Sequence, residues 1–186
     1  LLLVCVLMTS VSIVREKEKG TMEILLVSPM NPLTVIIAKA IPYFFLSLIN
    51  LTVILLMSVF LLDMPMNGSL LLLYLVSSIL ILCALSLGLL ISNVTETQQA
   101  AMLISLMAML LPTVLFSGFM FPLENMPVAL QVIANVVPSK WYYIIVKSIM
   151  IKGVGFLSIW KETLVLSGMT IFLLLVSFQK FKIRLQ

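Results

Sequence analysis

The residues best equipped for chemistry lie together near the start of the chain, in Arg15-Glu-Lys-Glu-Lys-Gly-Thr-Met-Glu23. This run holds six of the charged side chains in a sequence that has only 11 basic and seven acidic residues. Alternating charges beside a short apolar stretch suit recognition by a partner. The charges can fix register while Met22, Leu25 and Leu26 fill an apolar groove on another protein. Glu16 and Glu18 are expected to open a short helix, whose positive end favours a carboxylate by ~0.3–1 kcal/mol. Thr21 can cap it, and Ser28-Pro29-Met30-Asn31-Pro32 breaks it. Two readings stand for residues 15–30: a solvated loop with a helix lying on lipid, or a docking helix gripped by a partner.

Enzyme chemistry is tested by absence. The sequence has no histidine, and so no Ser–His pair and no H-E-x-x-H zinc site. It has no G-x-x-x-x-G-K-[ST] phosphate loop and no G-x-S-x-G elbow. Cys5 and Cys83 lie in apolar runs and read as packing residues. The expectation is a chain that is not an enzyme and binds no metal.

The elements that must position the charged run are apolar. Of the 186 residues 62% are hydrophobic and 10% charged, far from the roughly 25% charged of a soluble domain. The bilayer is the main solvent, and the net charge of +4, spread over segment ends, is no nucleic-acid signal. Residues 40–62, 70–91 and 100–123 are charge-free and long enough to span. Residues 163–178 are short and need local thinning or snorkelling by Lys161 and Lys180. Residues 1–14 are shorter still, and we read them as the back end of a spanning helix in a longer protein. The expected class is an all-α polytopic membrane protein with about five transmembrane segments, the first truncated. The spans contain no Asp, Glu or Arg, which leaves a proton relay without carriers.

Lysine and arginine placement orients the spans. With residues 15–39 cytoplasmic, parity puts Arg15, Lys17, Lys19, Lys39, Lys180, Lys182 and Arg184 on one side. Lys140, Lys147, Lys152 and Lys161 fall on the other. The positive-inside rule favours this choice and a cytoplasmic C-terminus.

Three features within the spans are candidates for function. Ala84, Gly88 and Ser92 form a small-xxx-small stripe, open to use in packing within the subunit or as a subunit–subunit seam. Pro112 lies mid-span and deprives the Ala108 carbonyl of its helical donor, as a tolerated kink or a hinge. Residues 124–153 are too apolar for an ordinary loop and are punctuated by Pro127 and Pro138. They are expected to form two short helices, about 128–137 and 141–151, lying on the outer surface or re-entering the membrane. In the second case Gly118, Pro122, Met126, Pro127 and Pro138 belong to an outer gate.

The order of these features resembles the C-terminal part of ABC-2 type transporter permeases, the membrane subunits of ABC exporters. The residues that carry the resemblance begin with Arg15 to Glu23, Ser28-Pro29, Lys39 and Pro42-Tyr43. They continue with Gly88-Leu-Leu-Ile-Ser92, Thr97-Gln-Gln-Ala100 and Leu111-Pro112. Ser117-Gly-Phe-Met-Phe-Pro122, Met126-Pro127, Pro138 and Lys152-Gly153 complete them.

The resemblance implies a single transmembrane domain over residues 1–186, lacking its first span and any extracytoplasmic domain after it. It implies a coupling helix at residues 15–30, with Glu16, Glu18, Gly20, Thr21, Glu23, Leu25 and Pro29 facing a separate ATP-binding subunit. ATP and Mg would be held by that subunit and not by this chain. A second permease copy or paralogue completes a dimer in a bacterial plasma or inner membrane, and the cargo is hydrophobic or amphipathic. The alternative is a scaffold or sensor subunit without transport of its own, which would not need the proline-punctuated outer region. Single cysteines at Glu96 and Glu124 should be labelled from the cytoplasmic and outer faces respectively, and labelling of both from one face contradicts the parity.

Overall fold

A computed structural model describes residues 1–20, 32–119 and 123–183. Seven α-helices occur among them: α1 (Leu2–Glu18), α2 (Pro32–Phe60), α3 (Leu70–Val94), α4 (Gln98–Phe116), α5 (Val128–Val136), α6 (Pro138–Met150) and α7 (Phe156–Ile183). The described residues contain no strand. Four helices are long and apolar enough to cross a membrane: Ile37–Phe60, Leu70–Val94, Gln98–Phe116 and Phe156–Ser177. The chain is an all-α polytopic membrane protein.

Helix α3 is the hub. It packs against α1, α2, α4, α6 and α7. Its boundaries follow from local chemistry: the Ser69 hydroxyl accepts from the Leu72 N–H at the start. The Thr97 hydroxyl does the same for α4 through the Ala100 N–H. The stripe of small residues explains how α1 reaches α3. Ala84, Gly88 and Ser92 are all buried, and a Cβ on Gly88 would lie 2.8 Å from Thr9 Cβ and 3.0 Å from the Val6 carbonyl oxygen. The two backbones therefore approach closely within one chain, and this use of the stripe leaves its Gly88 face covered by α1 rather than open to a second copy.

Apolar packing in lipid is supplemented by hydroxyls. Ser10 and Ser105 join α1 to α4 at 2.9 Å, and the Cys5 thiol donates to Ser47 of α2 at 3.0 Å. Tyr74 donates to Thr52 at 2.9 Å between α3 and α2, and the Thr170 hydroxyl reaches the Ile79 carbonyl from α7 at 3.4 Å. In contrast, α2 and α4 turn apolar side chains outward, among them Phe45, Ile49, Met57, Leu103, Met107 and Leu111.

Several sequence expectations are corrected. The last helix is not a 16-residue segment: it runs from Phe156 through Lys161 and Glu162 to Ile183, 28 residues. Lys and Glu are good helix formers, so charge alone does not end a helix. The span Phe156–Ser177 is then 22 residues and needs no thinning. The fourth helix stops at Phe116, seven residues before the apolar run ends, and Gly118 at φ +81° turns the chain just beyond. The second short helix begins at Pro138 rather than at residue 141, because proline at the first helical position costs no hydrogen bond.

Glu16 and Glu18 close α1 instead of opening a new helix. There the macrodipole disfavours carboxylates, and side-chain partners described below offset it. Replacing Gly88 by Leu should separate α1 from α3 and cost about 1–3 kcal/mol. A lowered unfolding temperature of the purified full-length protein would show it, whereas unchanged stability would contradict the close approach.

Candidate coupling end and helical hairpin

Consecutive residues at the end of α1 bond to three different helices. Glu16 forms an ion pair with Lys39 of α2. Lys17 Nζ donates to the Ser92 carbonyl in the last turn of α3. That carbonyl is among those a helix leaves without an internal partner, so a cation suits it. Gln98 Nε2, at the first position of α4, donates to Glu18 Oε2. One turn inward, Tyr43 of α2 donates to the Ser12 hydroxyl.

Gly20 follows directly at φ +70°. Thr21, Glu23, Leu25 and Pro29 lie outside the described residues. Of the seven coupling candidates, the structure thus places Glu16, Glu18 and Gly20, with Glu16 beside Lys39 and Glu18 beside Gln98.

At the opposite end, the α2–α3 connection meets the α6–α7 connection. The Asn67 side chain donates to the Ile151 carbonyl at 3.0 Å, and its N–H donates to the Met150 carbonyl at 3.1 Å. A Cβ on Gly68 would lie 2.4 Å from the Ile149 carbonyl oxygen, so only glycine lets the two segments touch.

Helices α5 and α6 form a hairpin whose elbow is Val137 alone, the last cap of one helix and the first of the other. Tyr142 bonds Ser77 at 2.8 Å. Ser77 is seven residues, roughly 10 Å, along α3 from Leu70. The elbow reaches further. Val136, Val137 and Pro138 line a cavity of about 240 Å³ with Ala108, Met109 and Pro112. Ala108 is ten residues from the Gln98 end of α4, about 15 Å, so the elbow sits level with the middle of that helix.

Pro112 and Pro138, suggested separately by sequence as hinge or gate residues, therefore face one cavity. Gly118 lies near Leu123, Met126 is half-buried and Pro127 is exposed ahead of α5, while Pro122 is outside the described residues. The hairpin is braced internally. Trp141 Nε1 donates to the Asn135 carbonyl at 2.9 Å, and Gln131 Nε2 donates to the Met126 carbonyl at 2.9 Å.

Sequence reasoning missed the Lys17–Ser92, Gln98–Glu18, Ser77–Tyr142 and Asn67–Met150 contacts. The available signal was weak: isolated Ser, Thr and Tyr residues inside apolar runs, each of which needs a partner in hydrocarbon.

A charged end clasped to three helices, a close-packed small-residue seam and two short helices ahead of the last span make up a polytopic helical bundle. The chain belongs to the ABC-2 family of transporter proteins, whose model matches residues 1–178. It is 36% identical to the probable multidrug ABC transporter permease YbhS of Escherichia coli K12 over 147 residues, 79% of this chain and 39% of that protein. Identity to the probable multidrug ABC transporter permease YbhR of the same organism is also 36%, over 156 residues, 84% of this chain and 42% of that protein. ABC transporter G family member 20 of Dictyostelium discoideum is 30% identical over 171 residues, 91% of this chain and 23% of that protein. The chain thus spans about two fifths or less of the length of these relatives. No solved structure matches it.

The Glu16–Lys39 pair makes a direct test of the clasp. Glu16→Lys and Lys39→Glu should each lower thermal stability, by about 1 kcal/mol or less for so partly exposed a pair. The double exchange should recover a large part of the loss. Additive losses in the cycle would show that the pair contributes nothing.

Proposed function

We propose that this chain is the transmembrane part of an ATP-driven exporter's permease subunit, worked by a separate ATP-binding subunit through residues 15–30. The observation that supports this most is the clasp at the end of α1. A pull on the chain just past Glu18 acts on α1 and, through Lys39, Ser92 and Gln98, on α2, α3 and α4 together. A loop that merely rested on lipid would need none of these ties.

In this reading Thr21, Glu23, Leu25 and Pro29 form the surface gripped by the ATPase, which carries the nucleotide and Mg. The helical hairpin is re-entrant from the outer side, and its Pro138 elbow against Pro112 is the outer gate. Both prolines lack an N–H, so this junction has fewer hydrogen bonds to break when it opens. Residues 15–20, 95–97 and the C-terminus face the cytoplasm of a bacterial plasma membrane. The outward apolar faces of α2 and α4 meet lipid and a second permease copy. Cargo is hydrophobic or amphipathic, in keeping with spans free of Asp, Glu and Arg between residues 40 and 123. The relatives named as multidrug permeases fit such a cargo.

The experiment uses the full-length permease co-expressed with its ATPase subunit. Leu25→Asp should weaken co-purification of the ATPase about tenfold, equivalent to roughly 1.4 kcal/mol, without changing membrane insertion. Glu16→Gln should keep association but reduce coupling of ATP hydrolysis to transport. Full association and coupling in both variants would overturn the assignment of the coupling segment.

A further inference from the structure

Helices α2, α3 and α7 enclose a groove of about 300 Å³ that contributes nothing to the clasp or the hairpin. Its floor is Leu85 and Leu89, only 2% and 3% exposed. Its rim is Ile37, Ile41 and Phe45, each about half exposed or more, with Leu174 of α7 opposite. Every side chain lining it is hydrocarbon.

The groove lies in the half of the bundle nearest the charged end. Ile37 precedes Lys39 by two residues, and Leu89 precedes Ser92 by three. Beyond Leu174 the same helix continues through Lys180 and Lys182 to Ile183.

We infer that this groove holds an acyl chain of an anionic phospholipid from the leaflet at the charged end, with the basic last turns of α7 attracting the headgroup. Three observations choose this occupant. An occupant met in a bilayer must be apolar along its length, as the lining is. The rim is built from bulky Ile, Leu and Phe side chains, whereas a helix docking in lipid seeks small residues that admit its backbone. Gly88, in the small stripe of α3, is already covered by α1. A flexible alkyl chain conforms to a rim of such bulky side chains more readily than a rigid helix does.

The sequence then selects the headgroup, because Lys180, Lys182 and Arg184 follow the last span. Basic residues just beyond a span attract anionic lipid, and the effect fades within a Debye length. The groove's contents do not depend on the coupling proposal. Only the assignment to the cytoplasmic leaflet rests on the proposed orientation.

The test is native mass spectrometry of the full-length permease taken from vesicles of equal phosphatidylglycerol and phosphatidylcholine. Wild type should retain phosphatidylglycerol in preference. Ala40→Trp, which fills the groove from its wall, should lower retained lipid about tenfold. Leu174→Trp, filling it from the other side, should do the same, so misfolding of one variant does not decide the matter. Lys180→Gln with Lys182→Gln should abolish the preference while leaving lipid bound.

Retention unchanged in both tryptophan variants would overturn the site. Equal retention of the two lipids by wild type would overturn the headgroup assignment. Release of a protein segment or second copy in place of lipid on filling the groove would show a different occupant and overturn the proposal. Coupling of ATP hydrolysis measured in the same variants separates this result from the permease reading, because loss of lipid with coupling intact leaves that reading standing.

Discussion

The ties between the last turn of α1 and the facing ends of α2, α3 and α4 set how the rest of the bundle can move. In hydrocarbon there is little hydrophobic force to hold one apolar helix against another, so position is set by close packing and by polar contacts. Helix α1 has both. Gly88 lets it touch α3, Ser10 meets Ser105, Cys5 meets Ser47, and the charged turn closes the end in water. A helix held at so many levels follows its neighbours as a body. Force applied beyond Glu18 is therefore shared among four helices rather than absorbed by the bending of one.

The far end of the bundle is built differently. Backbone contacts between Asn67 and Met150 and between Gly68 and Ile149 pin the top of α6 to the α2–α3 connection. Tyr142 and Ser77 pin its middle. The elbow at Val137 has instead a cavity beside it and two prolines facing into that cavity. The firm part and the loose part of the hairpin are thus only one helix apart. Pro112 and Pro138 leave room beside the elbow, where the close backbone contacts at the other end of α6 leave none.

Most of the span architecture was legible in the sequence because long charge-free runs have few alternatives in lipid. The failures have definite causes. Lys161 and Glu162 read locally as a boundary, although a helix tolerates charges where they reach water. The run through residue 123 reads as one span by its lack of charge, although Gly118 turns the chain before it ends. Glu16 and Glu18 were expected at the start of a helix, because their stabilising partners are 23 and 80 residues away and leave no local trace. Pairings of this kind depend on which helix ends meet, and composition does not carry that information. The small stripe was visible as a pattern, but the structure was needed to assign its Gly88 face to α1.

If the clasp stays closed, the charged end and the three helices it holds move together. Pulsed electron resonance distances between spin labels on cysteines at Lys19 and Val94, in the full-length permease with its ATPase subunit, test this most directly. Both positions are exposed, while Cys5 and Cys83 are buried. A closed clasp gives one distance distribution, the same without nucleotide and with ATP bound. A second distance that appears only with ATP would show the clasp opening and contradict the claim.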